Sequence, residues 1–117
     1  MPEAINLTAK LAEFSDHWAP KIVSRYNGND VMVVKFQGEF PWHSHADTDD
    51  FFLVIDGHVR IDTEDGPVQL APGELCVVPK GLKHRPVAEH EAKVLLIEPS
   101  GTPNTGDPAT AAKKVEI

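Results

Sequence analysis

The sequence predicts an all-β domain, a jelly-roll or barrel of short strands preceded by one short helix. Three observations carry this reading. Short runs rich in Val, Ile, Leu and Phe follow one another closely from residue 31 onward, and Gly- or Pro-bearing dipeptides separate them. Between Gly28 and Pro99 no run of helical periodicity is long enough to make a helix. Strands without helices between them bury their apolar faces only by closing on one another, as a sandwich or barrel.

Leu7, Leu11 and Phe14 share one helical face, and Asn6 or Thr8 can cap it, so a helix is expected from Asn6 to Phe14. Asp16-His17-Trp18-Ala19-Pro20 ends it, because the residue before proline is pushed out of the α region. Trp18 is expected to anchor against the barrel or against a dimer partner. Strands are expected at Val31–Phe36, Phe51–Ile55, His58–Asp62, Pro67–Leu70, Leu75–Val78 and Lys93–Ile97. Asn27-Gly28, Asp56-Gly57 and Asp65-Gly66 are dipeptides that accept the positive φ of tight hairpins. Ala88-Glu89-His90-Glu91 reads as a polar turn, and His58 and Arg60 as an exposed strand face. The division is therefore 1–25 for the helix and lead-in, 26–99 for the barrel, and 100–117 for an irregular tail.

Composition narrows the function classes. Eighteen acidic against 11 basic residues give a net charge of -7 in 117 residues. Nucleic acid and anionic membrane both call for a basic surface, so neither is an expected partner. Cys76 is the single cysteine, which leaves no intrachain disulfide and no thiolate metal cluster. Its apolar neighbours assign it to the core. With neither a leader-like N-terminus nor a long apolar run, the expected location is cytoplasmic. A chain this short buries a modest share of its surface, so a homodimer is expected on general grounds.

The residues that carry chemistry are histidines and a carboxylate. His43-Ser44-His45 places two imidazoles at i and i+2, on one face of an extended segment, as two neighbouring ligands of one metal would be. Asp50 opens the next apolar run and supplies the negative charge a divalent cation favours. His84 follows the turn Pro79-Lys80-Gly81, which fixes where the next strand starts. Asp47 and Asp49 read as solvated turn residues. Phe40, Trp42 and Phe52 are either pocket walls or core, and Glu98, after the apolar Val94–Ile97 run, could reach a pocket as an acid or base, although strand-end carboxylates are usually exposed.

Over residues 30 to 99 the chain resembles the cupin superfamily. The first cupin motif is similar to Gly38, His43-x-His45, Asp50 and then Gly57 after six intervening residues; the second is similar to Gly73, Pro79, Gly81 and His84. Three positions depart from the pattern: Gly38 is one residue close to the histidine pair, Asp50 replaces the usual glutamate, and Ala88 stands where an asparagine is common. The resemblance implies one divalent transition metal per chain (Mn, Fe, Zn or Ni), held by His43, His45, His84 and Asp50, the last directly or through a water. It also implies a small-molecule ligand or substrate.

An open metal site of this kind suits an enzyme acting on a small polar metabolite, either a dioxygenase or an isomerase of sugars or carbonyl compounds. The alternatives are a metal-assisted binding protein without turnover and a barrel that has lost its metal.

Overall fold

The computed structural model describes residues 2–117. The elements run α1 (Leu7–Leu11), β1 (Lys21–Tyr26), β2 (Asn29–Glu39), β3 (Asp50–Asp56), β4 (Val59–Thr63), β5 (Gly66–Leu70), β6 (Leu75–Val78), β7 (His84–Pro99) and β8 (Val115–Glu116). Among the described residues no helix is long and apolar enough to cross a membrane.

The helix begins where the sequence puts it. The Asn6 side chain accepts the Ala9 backbone N–H at 3.0 Å, satisfying one of the donors a helix start leaves open. It ends earlier than expected, at Leu11, because Phe14 is needed elsewhere. Lys21 and Lys35 are buried on the outer side of β1 and β2. Both ammonium groups lie over the Phe14 ring, at 5.3 and 4.9 Å. Lys21 also pairs with Asp16 at 2.9 Å, and Lys35 donates to the Phe14 carbonyl at 2.5 Å. The chain after α1 thus shields two cations that would otherwise be buried unpaired.

The long antiparallel ladder of β2 and β7 organises the sheet, from Asn29↔Pro99 to Glu39↔Val87. The other edge of β7 is shared: β4 pairs with Arg85–Val87 and His84, while β3 pairs with Lys93–Ile97. One arm of the fold is therefore β5-β4 and the other β6-β3, and β7 passes from one to the other. The passage is made by a register shift, with residues 89–91 opposite Gln37 alone. The expected polar turn at 88–91 is thus a bulge within one continuous strand. Its exposed Glu-His-Glu gives the same polar signal in either case.

Two strands escape the pattern of the sequence. Lys21–Tyr26, placed in the lead-in, pairs along β2, its alternation obscured by a buried lysine and by a bulge between Ile22 and Ser24. Val115–Glu116 adds to β1 in parallel.

Inward-facing residues of both arms meet in one core containing Met32, Val34, Phe52, Val54, Ile61 and Leu96. Each such side chain contributes about 1.5–3 kcal/mol by leaving water. Trp18 packs on this core from outside, stacked on Phe36 at 4.4 Å.

The β3–β4 turn needs glycine at position 57. Its φ is +85°, and an added Cβ would lie 2.9 Å from both Ala92 Cα and Glu91 O. Gly57→Ala should therefore destabilise the fold by about 1–3 kcal/mol, read as a lower midpoint in urea unfolding with an unchanged slope.

Candidate metal centre

Local backbone bonding delivers the histidines. His43 and His84 form a two-way bridge, each N–H donating to the other's carbonyl at 2.9 Å. The Gly81 N–H adds a bond to the His45 carbonyl at 2.8 Å. The segment 43–45 is thereby held against the turn that starts β7, and not against β3 as a hairpin would hold it. Asp50, the first residue of β3, reaches the same point from the opposite wall.

All four side chains are buried, and their ligand atoms lie within 4.8 Å of one another. The Asp50 Oδ2 atom is 2.8 Å from His84 Nε2, 3.3 Å from His45 Nε2 and 3.8 Å from His43 Nε2. An ion about 2.1 Å from each ligand puts neighbouring ligand atoms roughly 3 to 3.5 Å apart. The observed spacings bracket that range, so the shorter aspartate reaches far enough to be a direct ligand.

Protonation logic points the same way. His43 Nδ1 lies 2.8 Å from the Pro41 carbonyl and His84 Nδ1 lies 2.8 Å from the Leu82 carbonyl. A carbonyl can only accept, so both Nδ1 atoms carry hydrogen. In the neutral ring, Nε2 is then a bare lone pair aimed at a carboxylate. His45 Nε2 is buried with no well-formed hydrogen bond. Acceptors facing acceptors in a buried site are reconciled by a cation, and these residues could hold one.

The charges respond to this packing. Burial alone would raise the Asp50 carboxyl. When no cation is bound and the facing Nε2 atoms carry hydrogen instead, their hydrogen bonds, from His43, His45 and His84, outweigh burial and hold the group well below the usual carboxylate range. Asp50 in turn raises His45, against the opposing effect of burial. Glu98 is pushed up by burial, an effect that its ion pair with Lys114 at 2.6 Å only partly offsets. It is 4% exposed, unlike the usual strand-end carboxylate. The inward alternation of Val94 and Leu96 continues through it.

Beside the cluster is a cavity of about 30 Å³, walled by Val34, Phe36, Phe40, Phe52 and Leu96, with His43, Asp50 and Glu98 at its polar end. A wider groove of about 530 Å³ lies outside it, between Trp18, Phe40 and Trp42 on one side and the tail on the other. His43, Trp18, Phe40 and Asn104 border both spaces. The tail reaches this position because residue 106 is glycine. An added Cβ there would lie 2.2 Å from the Ser44 carbonyl oxygen, between two candidate ligands.

The four residues singled out in the sequence are thus brought together. Asp47 and Asp49 remain exposed, and Asp49 caps the Lys80 N–H at 3.0 Å. Phe52 is core and cavity wall at once, and Trp42 is exposed along the groove. Asn104 and Lys114 carry no local signal that would have found them.

The Cupin_2 family model, a cupin domain, matches residues 30–98. The chain is a cupin. It is 34% identical over 86 residues to the uncharacterized Bacillus subtilis protein YdbB, covering 73% of this cupin and 76% of that protein. It is also similar to a cupin-2 domain containing protein from Shewanella frigidimarina, at 42% identity and a TM-score of 0.80, covering 81% and 93% of the two chains. A hydroquinone 1,2-dioxygenase, PnpCD, solved with Cd2+ and 4-hydroxybenzonitrile, shares the fold at 23% identity and a TM-score of 0.73, covering 92% and 74%.

Opposite pH dependences should separate the metal-free and metal-loaded states. Without metal, the lowered Asp50 contributes stability above about pH 4, lost as pH falls through its folded value. The raised His45 contributes below about pH 6.5, and this is lost as pH rises through its folded value. Metal needs bare imidazole nitrogens, so its stabilisation grows with pH. The rise in melting temperature on adding Zn2+ should be larger at about pH 7.5 than at about pH 5.5, and an equal rise would count against these ligands.

Proposed function

We propose that this cupin is a metal-dependent enzyme of the dioxygenase class, acting on a small substrate with a largely apolar body. The observation that carries this reading is a pair of adjoining spaces: an inner cavity with apolar walls beside His43 and Asp50, and an outer groove with Trp18, Phe40 and Trp42 along one side. A sugar brings hydroxyls that need partners when buried. The aromatic side of the outer groove, Trp18, Phe40 and Trp42, offers few, which favours an apolar ring over a sugar. The volume of the inner cavity, about 30 Å³, is far below the roughly 150 Å³ of a cavity that takes benzene. It has room for water or a diatomic gas, so the organic substrate has to lie in the outer groove. A protein that shares this fold is a hydroquinone 1,2-dioxygenase, which supports the class without fixing the substrate.

The residues divide the work. Three imidazoles and Asp50 would hold the ion, and iron or manganese, when bound, supplies the redox chemistry that joins oxygen to an organic molecule. Phe36, Phe52 and Leu96 keep bulk water from the inner cavity. Glu98 borders the inner cavity, and its carboxyl, raised by burial and partnered by Lys114 when ionised, would exchange a proton there. The expected result is one transition metal per chain by element analysis, and oxygen uptake by the iron-loaded protein with small phenols. Glu98→Gln should keep the metal and slow uptake by about 10²-fold. Binding of phenols without uptake, under any metal, would shift the reading to a ligand-binding protein.

A homodimer is part of the same proposal. Phe51 and Leu53 on β3 lie opposite Val77 and Leu75 on β6, and opposite Ile97 and Leu95 on β7. This is the outer face of the sheet, yet it is apolar, with Leu75 and Val77 55% and 48% exposed. Outer faces that meet water are normally polar, and a patch of this kind marks an association surface. With no carboxylate among these six residues, two acidic chains can meet there without direct repulsion. Wild-type protein should sediment as a dimer and Val77→Glu as a monomer; a monomeric wild type overturns the assignment.

A further inference from the structure

We infer that Asn104, from the tail, is a ligand-binding residue that donates a hydrogen bond to an oxygen of a neutral, flat ligand in the outer groove. The inference deepens the reading of that groove as the substrate's seat and rests on it.

The amide of Asn104 has only one possible orientation. Its Oδ1 atom accepts the Ala112 backbone N–H at 2.9 Å. A backbone N–H can only donate, so the oxygen end faces Ala112 and the Nδ2 end is fixed on the other side. Among the described residues no hydrogen-bond partner of Nδ2 is found, although Asn104 borders both the inner cavity and the groove. The side chain is held by more than its own bond. Lys114, two residues beyond Ala112, pairs with Glu98 and donates to the Thr102 carbonyl at 2.5 Å. Gly106 seats the loop against Ser44. A donor preorganised at the junction of two spaces costs little further ordering when a ligand arrives.

The class of ligand follows from what else faces it. Trp18 and Phe40 offer flat apolar contact opposite Asn104. The nearby cations are already engaged: Arg85 lies over the Trp42 ring at 5.2 Å and is bonded to Asp62 and Glu39, and Lys114 is bonded to Glu98. With Asp107 on the groove and no lysine or arginine among the residues that line it, a carboxylate or phosphate would find no cationic side chain there. A ring with a neutral hydroxyl or carbonyl oxygen meets an aromatic wall and a waiting donor.

The test compares 4-methylphenol with 1,4-dimethylbenzene, which have nearly the same shape, by ligand-observed NMR titration of zinc-loaded and metal-stripped protein. Wild type should prefer the phenol by about tenfold, the worth of one oriented hydrogen bond. Asn104→Leu, of nearly the same size, and Asn104→Ala both delete the donor without adding a carboxylate that could accept the phenol's own O–H. Both should lower the preference to about one, with binding of the hydrocarbon unchanged and the melting temperature close to that of wild type. A preference that survives in either variant overturns the inference, as does wild type with no preference. Loss of both compounds in the variants also overturns it, since that marks a structural role. An Asn104-dependent preference in protein that takes up no zinc would sink the metal reading and leave this one standing.

Discussion

A carboxylate buried among three imidazole nitrogens is unfavourable unless positive charge lies between them, and the architecture of this cupin is arranged around that condition. Asp50 loses its water on one wall of the barrel, and His43, His45 and His84 lose theirs on the other. Carbonyls at Pro41 and Leu82 take the Nδ1 hydrogens, which turns the bare nitrogens of His43 and His84 inward. Each of these groups would be a liability singly. Together they form a preorganised cation site, because a divalent ion satisfies all four at once.

The backbone explains why the site is rigid. The histidine segment is stapled by two hydrogen bonds between His43 and His84 and a third from Gly81, so two candidate ligands share one bridge. Asp50 sits at the end of a ladder shared by β6 and β7. The long β2–β7 ladder runs past both arms and ties them together. Ligands placed on such elements move little, and close packing transmits any displacement to the core.

Around this centre polarity is graded by depth. The small inner cavity is apolar apart from the candidate ligands, Glu98 and Asn104, while the outer groove pairs aromatic residues with polar tail residues. The two spaces differ in size, about 30 against about 530 Å³, and the tail walls the larger one. The tail's Lys114 neutralises Glu98, its Asn104 faces both spaces, and its last strand is anchored on β1.

The all-β class and most strand positions were legible in the sequence, because alternation and turn dipeptides act over a few residues; the four candidate ligands were legible as a set through the resemblance to two spaced cupin motifs. The sequence misjudged elements whose local signal is ambiguous. A polar Glu89-His90-Glu91 looks the same in a turn and in a bulge, and a buried lysine hides the alternation of β1. It also left Glu98 between pocket and surface, since nothing local says that the strand end is covered by Lys114 from 16 residues on. Tertiary structure alone decided that Asp50 meets the histidines across the barrel, that Gly106 brings the tail onto Ser44, and that an outer sheet face stays apolar. Those are contacts between distant segments, and their energies depend on which surfaces closure removes from water.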